Sequence, residues 1–150
     1  MVHRVDDKDL RILEVLRDHG EYTTRQISRK TGLPATTIHN RIRQLKSEGI
    51  ICRFTIDLNY QRINRSFVAY VLISANLQML KQHNKTQHDL AREISKFNFV
   101  ERADIVSGGT DLVALVRVKD VAEFDEVLLN KLQLIEGIEK TQSLIVLHEG

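Results

Sequence analysis

Apolar residues recur at helical spacing in three short segments of the first third of the chain. The first segment covers residues 7–19, and its apolar stripe consists of Leu10, Leu13 and Leu16, widened by Ile12 and Val15. Asp6 or Asp7 is placed to cap the start of this helix, and the pair His19-Gly20 to end it. The spacing predicts a helix that buries one side.

Two further helices are predicted on either side of a glycine. Residues 24–31 predict a short helix capped by the threonines at its start. Gly32 permits a tight turn, because glycine adopts positive φ without steric cost. Pro34 suits the first turn of the next helix, which covers residues 34–48 and ends at Gly49.

The third predicted helix has two different faces. Its apolar stripe is Ile38, Ile42 and Leu45. A separate stripe carries hydrogen-bonding side chains, namely Thr36, His39, Asn40 and Arg43. Two helices joined by a four-residue turn with a glycine are typical of the helix-turn-helix motif, whose second helix enters the major groove of DNA. We therefore predict that the third helix reads duplex DNA.

Positive charge is concentrated at this end of the chain. Residues 1–53 hold 11 Lys or Arg and 7 Asp or Glu, whereas residues 54–150 hold 11 and 13. No acidic residue occurs between Glu21 and Glu48, a stretch with six basic residues: Arg25, Arg29, Lys30, Arg41, Arg43 and Lys46. The chain thus has a basic N-terminal segment and a mildly acidic remainder, and this distribution of charge favours a nucleic-acid partner for the N-terminal segment.

The residue types on the two helices fit duplex DNA. Arg43 and Asn40 can pair with the edges of guanine and adenine, and Thr36 and Thr37 lie near the end of the helix that enters the groove first. The predicted DNA-binding set is Arg25, Arg29 and Lys30 for phosphates, with Thr36, Thr37, His39, Asn40 and Arg43 on the reading helix. The alternative is a helix pair with a solvated basic face.

The remaining two-thirds alternate between strand and helix patterns. Phe54, Ile56 and Leu58 have a period of two, which predicts a strand linking two domains. Apolar runs then predict four strands, at residues 67–73, 103–106 (extended back to Val100), 112–118 and 144–147. Two amphipathic segments between them, at about 86–96 and 121–135, predict helices.

This order of elements predicts a β-α-β-β-α-β unit, a ferredoxin-like α+β sandwich with two helices on one face of an antiparallel sheet. Residues 107–110, which include two glycines, form the hairpin between the middle strands. A faint repeat supports the arrangement, since residues 100–102 (Val-Glu-Arg) recur as residues 138–140 (Ile-Glu-Lys), each after a helix. The long connection 76–88 is expected to hold an extra turn around residues 77–80.

Two of the predicted strands are apolar without alternation. Residues 67–73 and 112–116 carry apolar side chains on both faces, whereas a sheet with one wet face alternates. The predicted helices cover only one face. A second copy of the sheet is the simplest cover for the other face, so we predict a homodimer through this domain.

Length and composition add few constraints. The 150 residues, 42% hydrophobic and 28% charged, are ordinary for one or two small domains. We divide them into a helix-turn-helix domain (1–52), a linking hinge (53–64) and a ferredoxin-like oligomerisation domain (65–150). The single Cys52 cannot form an internal disulfide, no run is long enough for a membrane span, and the first residues are too charged for a signal peptide. We expect a cytoplasmic protein.

These residues resemble the Lrp/AsnC family of transcription regulators. The N-terminal resemblance lies in residues 7–13, 31–33 and 41–51, and residues 106–112 (Val-Ser-Gly-Gly-Thr-Asp-Leu) are similar to the hairpin of the family's amino-acid-sensing domain. The resemblance covers nearly the whole chain in the same order. It implies a sequence-specific DNA-binding regulator that responds to a small amino acid and forms dimers assembling into higher oligomers, often octamers.

The resemblance also implies an effector site between the sensing domains of neighbouring dimers. The matching positions are Ser107, Gly108, Gly109, Thr110 and Asp111, with Val121 and Leu144 as weaker matches. Asp111 beside the N–H groups of a glycine-rich turn offers a carboxylate for an ammonium group and donors for a carboxylate, although it is also placed simply to cap the hairpin. Gly109 and Thr110 replace acidic and aromatic residues common in the family, and Pro34 replaces its usual serine cap.

No phosphate-binding glycine loop, nucleophile elbow, Cys/His pair or metal-ligand spacing occurs in the sequence. We therefore expect no enzyme, no metal and no cofactor, with a free amino acid as the effector. The alternatives left open are a ligand-independent architectural DNA-binding protein, an amino-acid-binding regulatory subunit and a small enzyme with a ferredoxin-like fold.

Overall fold

The computed structural model describes residues 4–150. The expectation that the chain starts without a signal peptide rests partly on residues 1–3, which lie outside the described residues. The chain divides into two compact units, one ending at Leu58 and the other covering Asn59–Gly150. The described part of the first unit is helical, and the second combines four strands with helices.

The first unit confirms the three predicted helices: α1 (Asp7–Asp18), α2 (Thr24–Thr31) and α3 (Ala35–Ser47). Asp6 and Thr23 begin α1 and α2 with capping boxes, in which the side chain of each accepts a hydrogen bond from the third helical backbone N–H. Gly32 ends α2 with a φ of 71°. Pro34 precedes α3 without a capping side chain, so this helix depends more on packing.

A small aliphatic core holds these helices together. Its buried members are Ile12, Ile27, Leu33 and Ile38. Leu10, predicted to lie in the buried stripe of α1, is instead 56% exposed. Asp9 and Ile12 define the buried side of the helix, and Leu10 lies about 200° around the axis from Ile12.

Residues 52–58 form no strand in the described chain, so the predicted linking strand is absent there. The alternation is real, but a strand also needs a neighbour that exchanges backbone hydrogen bonds with it. The described part of the first unit contains no strand that could serve as this neighbour, and Phe54, Ile56 and Leu58 are exposed.

The second unit confirms the ferredoxin-like sheet. Its strands are β1 (Phe67–Ala75), β2 (Val100–Ile105), β3 (Leu112–Val118) and β4 (Ile138–Ile145). They form an antiparallel sheet in the order β2-β3-β1-β4. In the central pair Ile73 lies opposite Leu112, and on the other side of β1 Tyr70 lies opposite Leu144.

The helical segments of this unit are α4 (Leu77–Gln82), α5 (Gln87–Ser95), α6 (Val121–Val127) and a π-helical turn (Leu128–Leu132). α4 is the extra turn expected in the long connection, and it buries Leu80. α5 and α6 contribute Leu90, Ile94 and Phe124 to a core with alternate residues of β1 and β3.

The predicted helix over residues 121–135 is regular only as far as Val127. Val127 and Leu132 are both buried and lie five residues apart, with Lys131 exposed at the position that α-helical spacing would bury. The π-helical turn, in which the Gln133 N–H donates to the Leu128 carbonyl, absorbs the extra residue.

The last strand begins six residues earlier than the predicted 144–147. Residues 139–143 are polar and carry no apolar signal, yet residues 140–143 pair with β1 and make β4 an edge strand. The face of the sheet away from the helices is open where β1 pairs with β4, since Tyr70 and Leu144 are 45% and 47% exposed there.

Candidate DNA-reading helix and effector pocket

α3 separates an inner face from an exposed one. Ile38 and Leu45 are fully buried, and Ile38 belongs to the core that α3 shares with α1 and α2. The predicted reading residues Thr36, His39, Asn40 and Arg43 are all exposed, and Thr37 is half-buried. The exposed stripe therefore carries the donors and acceptors that base edges recognise, on a helix narrow enough for the major groove.

Two residues outside the predicted set extend this stripe. Asn40 and Arg43 line a shallow depression together with Gln44 and Ser47. Both additions lie four residues beyond a predicted reader, so helical spacing alone was sufficient to find them. Gln44 also donates a hydrogen bond to Glu48, which holds its amide on this side of the helix.

The turn between α2 and α3 is tied by local hydrogen bonds. The Ser28 hydroxyl donates to the Leu33 carbonyl over 2.6 Å, and the Thr31 hydroxyl donates to the Ile27 carbonyl over 2.8 Å. Arg11 also donates to the Thr31 carbonyl. The Ser28 bond holds the turn against α2, and the Arg11 bond ties the end of α2 to α1. The predicted phosphate contacts on α2, Arg25, Arg29 and Lys30, are all exposed.

Arg41 differs from the other basic residues because it is turned toward α1. Its Nη1 donates to Asp6 Oδ1 at 2.6 Å and to Asp9 Oδ1 at 3.0 Å. The Asp9 side chain is fully buried. The hydrogen bond from Arg41 lowers the pKa of Asp6 to about 2, and the two carboxylates raise the pKa of Arg41. The acid-free stretch of the sequence is therefore not a wholly exposed positive surface.

In the second unit, the glycine-rich hairpin is anchored to the end of β1. Ser107, Gly108 and Gly109 are exposed, whereas Thr110 and Asp111 are half-buried. Thr110 donates its hydroxyl to the Ile73 carbonyl over 2.8 Å. The carboxylate of Asp111 accepts the Ala75 N–H at 2.8 Å and the Gln87 amide at 3.2 Å. Asp111 therefore ties the hairpin to β1 and to the start of α5.

A pocket of about 340 Å³ opens beside this hairpin, on the face of the sheet away from the helices. Its lining residues come from three elements: Gly109 and Thr110 from the hairpin, Leu72 and Ser74 from β1, and Lys140 and Gln142 from β4. The β4 residues are not in the predicted set, because the sequence pattern starts that strand only at Leu144. Lys140 supplies a positive charge suited to a carboxylate.

The two weaker predicted positions lie elsewhere within one chain. Val121 begins α6 after β3 has crossed the sheet, so it stands at the opposite end of β3 from the hairpin. Leu144 lies opposite Tyr70 on the open face. Neither is among the residues that line the pocket. Within one chain, the structure therefore does not bring all seven predicted positions together.

A charged cluster covers another part of the open face. Arg117 is only 4% exposed, and it donates to Glu101 at 2.5 Å and to Glu149 at 2.6 Å. The Tyr60 ring packs over its guanidinium, with 3.8 Å from Cζ to the ring centroid. The bond to Glu149 raises the pKa of Arg117 and lowers that of Glu149. This cluster holds the chain terminus against the sheet.

Within residues 4–150, no helix has the length and apolar character needed to span a membrane. The same part of the chain contains no group of three or more His, Cys, Asp or Glu side chains arranged to hold a metal ion.

A helix-turn-helix unit with an exposed polar stripe, followed by a ferredoxin-like unit with a hairpin pocket, defines a two-domain DNA-binding transcription regulator. Residues 5–51 match the family model for winged helix-turn-helix DNA-binding domains, and residues 69–149 match the model for Lrp/AsnC ligand-binding domains. The chain belongs to the Lrp/AsnC family.

Individual relatives agree with this assignment. An HTH-type transcriptional regulator of Pyrococcus abyssi is 34% identical over 145 residues, covering 97% of this chain and 94% of the relative. The HTH-type transcriptional regulator FL11 of Pyrococcus furiosus is 31% identical, covering 95% of this chain and 89% of the relative. A transcriptional regulator of Neisseria meningitidis, solved as a complex with L-methionine, superposes with a TM-score of 0.87 at 25% identity, covering 97% of this chain and 92% of that one.

Proposed function

We propose that this protein binds duplex DNA through the exposed stripe of α3 and that a free amino acid modulates its DNA affinity or assembly. The observation that carries the proposal is the pairing, in one chain, of a polar reading stripe with a hairpin pocket that contains Lys140. The proposed setting is the cytoplasm, and the proposed role is regulation rather than catalysis.

The DNA contacts divide into two kinds. Arg25, Arg29 and Lys30 on α2 are proposed to meet phosphates, which position the protein without reading sequence. Asn40 and Arg43, with Thr36, Thr37 and His39 nearby, are proposed to read base edges. Two such heads in a dimer bind half-sites about one helical turn apart, or a multiple of it.

The effector is proposed to bind in the pocket beside the hairpin. A volume of about 340 Å³ lies at the lower end of the range for small-molecule sites, which suits a single amino acid. Lys140 is placed for the effector carboxylate, and Ser74, Gln142 and Thr110 offer further polar contacts. Asp111 then acts by positioning the hairpin, since its carboxylate already accepts two hydrogen bonds within the chain.

Assembly is proposed to begin with a homodimer that buries the open face of the sheet. Tyr70 and Leu144 form an apolar surface there that no segment of the second unit covers. Higher assembly, such as an octamer of four dimers, then brings hairpins of neighbouring dimers together. An effector changes this assembly only if it binds one state more tightly than the other.

A second candidate function is a ligand-independent architectural DNA-binding protein. The observation that favours it is the internal pairing of Asp111, combined with glycine and threonine at positions 109 and 110 of the hairpin. A thermal-shift panel of the twenty amino acids at millimolar concentration separates the two. A ligand at ~100 times its Kd adds ~2.7 kcal/mol per site, which moves the melting transition visibly.

A hit in this panel is expected to depend on Lys140. Lys140→Gln removes the proposed partner of the effector carboxylate and is expected to abolish the shift, whereas Lys81→Gln, on the exposed side of α4, is the matched control. A shift of unchanged size in Lys140→Gln excludes this pocket as the effector site. A blank panel for the natural sequence favours the architectural protein.

The DNA-binding proposal is tested with a duplex selected from a random library, compared with random duplex. Arg43→Ala is expected to reduce the affinity ratio between the selected and the random duplex, costing ~1–3 kcal/mol on the selected site only. Arg29→Ala is expected to weaken both about equally and to lower the salt dependence by about one counterion. Equal losses on both duplexes for Arg43→Ala remove it from the reading role.

A further inference from the structure

Arg41 lies on the reading helix, yet its guanidinium is directed away from the exposed stripe. The residue follows Asn40 and precedes Arg43 by two positions, so it lies to one side of the readers on α3. Its side chain is 22% exposed, whereas the readers on either side are exposed. The Arg41 guanidinium therefore forms its hydrogen bonds within the helical unit.

The partners of Arg41 are both at the start of α1. Asp6 caps α1, and the same Oδ1 atom that accepts the Asp9 N–H at 3.0 Å accepts Arg41 Nη1 at 2.6 Å. Asp9 completes the capping box by accepting the Asp6 N–H, and it also accepts from Arg41. One guanidinium therefore connects the first turn of α1 to the middle of α3.

Apolar packing and the start of the helix are the other features that position α3. Its own start lacks a capping side chain, because Pro34 occupies that position. Ile38 and Leu45 bury its inner face, but apolar contacts are non-directional and tolerate small rotations of the helix. The charge-assisted bond from Arg41 to the fully buried Asp9 carboxylate, at 3.0 Å, is directional, so it resists such rotation.

Resting on the proposed DNA-binding function, we propose that Arg41 is a positioning residue for base reading. Its bonds to Asp6 and Asp9 set the rotation of α3, so that Thr36, Asn40 and Arg43 meet the base edges together. Arg41 itself donates no charge to a phosphate. This role separates it from Arg25, Arg29 and Lys30, although all four belong to the same acid-free stretch of sequence.

The test compares Arg41→Gln with Arg29→Gln in the full-length protein. Affinities for the selected duplex and for random duplex are measured by fluorescence anisotropy between 50 and 200 mM salt, a range chosen because phosphate contacts are strongly salt-dependent there. Arg41→Gln is expected to lower the ratio of selected to random affinity by about tenfold or more, with the salt slope of the unaltered chain. Arg29→Gln is expected to keep the ratio and reduce the slope by about 1.

A salt slope reduced by about 1 in Arg41→Gln, with the ratio intact, overturns the proposal, because that is the behaviour of a phosphate contact. If circular dichroism shows that Arg41→Gln does not fold, Arg41→Lys replaces it. Lysine serves well as a point charge for phosphate but does not reproduce the reach and fixed geometry of the guanidinium. A reduced ratio in Arg41→Lys supports the positioning role, and a ratio equal to that of the unaltered chain overturns it.

These results are distinguishable from failure of the proposed function itself. If the unaltered chain shows no salt-dependent duplex binding and no preference for a selected duplex, DNA reading by α3 fails, and the positioning role fails with it. If the unaltered chain shows both and the Arg41 variants behave as phosphate contacts, only the positioning role fails.

Discussion

Removing the carboxylate of Asp111 is expected to loosen the end of β1 as well as the hairpin. In the folded chain this carboxylate accepts the Ala75 N–H at 2.8 Å, and Ala75 is 7% exposed. Asp111→Ala leaves that N–H with no acceptor in a place that water reaches poorly. A hydrogen bond to a charged group contributes ~1.5–3 kcal/mol, and an orphaned buried donor costs a comparable amount.

The second bond contributes less to this total. Gln87 donates to the other carboxylate oxygen at 3.2 Å, and its side-chain amide can turn to water when the acceptor is removed. We therefore expect Asp111→Ala to cost about 2–3 kcal/mol of unfolding free energy. For a unit of this size that lowers the melting temperature by roughly 10–20 °C.

Asp111→Asn separates the acceptor from the charge. Its amide oxygen still accepts the Ala75 N–H, so the expected loss is smaller, about 1 kcal/mol. Ser107→Ala is the control, because Ser107 is an exposed residue of the same hairpin and surface substitutions usually stay within about 0.5 kcal/mol. The effector response is best compared in the Asn variant, where folding is least disturbed.

The assay is urea denaturation followed by circular dichroism, combined with hydrogen exchange at the Ala75 amide. Asp111→Ala is expected to shift the midpoint and to speed exchange at Ala75, with Asn between Ala and the unaltered chain. If Asp111→Ala denatures at the same urea concentration as Ser107→Ala and the Ala75 amide exchanges no faster, the reasoning about this carboxylate is refuted.

Three further predictions concern other parts of the molecule. Gly137→Ala is expected to destabilise the second unit by about 1–3 kcal/mol, because the new Cβ would lie 2.4 Å from Leu80 Cδ2 and φ is 102°. Gly109→Ala is the control, since its new Cβ meets open space. Equal melting temperatures for the two variants would contradict this prediction. The pKa of Asp6 is lowered to about 2 from 3.8, so its stabilising contribution is present above about pH 4 and is lost as the pH falls through 2. As the pH falls from about 4 to about 2, the free energy of unfolding should therefore decrease less in Asp6→Asn than in the unaltered chain. An equal decrease in the two proteins would contradict the ion pair between Asp6 and Arg41. Tyr70→Glu is expected to convert the proposed dimer to a species of the 17.3 kDa monomer mass in analytical ultracentrifugation, with Leu134→Glu as an exposed control; a dimer in Tyr70→Glu excludes the open face as the interface.

The elements of both units could be predicted from the sequence because periodicity reflects burial directly. The predictions fail where interactions other than side-chain burial determine the structure. β4 is an edge strand that backbone hydrogen bonds hold to β1. Its residues 139–143 are polar, so the apolar pattern that predicts a strand is missing there. The turn at Leu128–Leu132 is π-helical because five residues separate two buried side chains, and a period of 3.6 does not anticipate that insertion.

The candidate sites show the same limit. The exposed stripe of α3 follows from helical spacing, and the structure exposes those side chains as expected. The inward turn of Arg41 depends on Asp6 and Asp9, which are more than thirty residues distant in sequence. The place of Lys140 beside the hairpin depends on sheet order and on where β4 begins. Pairings between distant residues have no local pattern to reveal them.

DNA binding and the effector response are measured together by titrating the selected duplex with the full chain, with and without each amino acid that shifts its melting temperature. We expect tight, salt-dependent binding to the duplex. We also expect that adding the effector changes either the affinity for the duplex or the oligomeric state seen in sedimentation. Duplex binding that is absent, or a binding curve and assembly that stay unchanged at saturating effector, would contradict an amino-acid-responsive DNA-binding regulator.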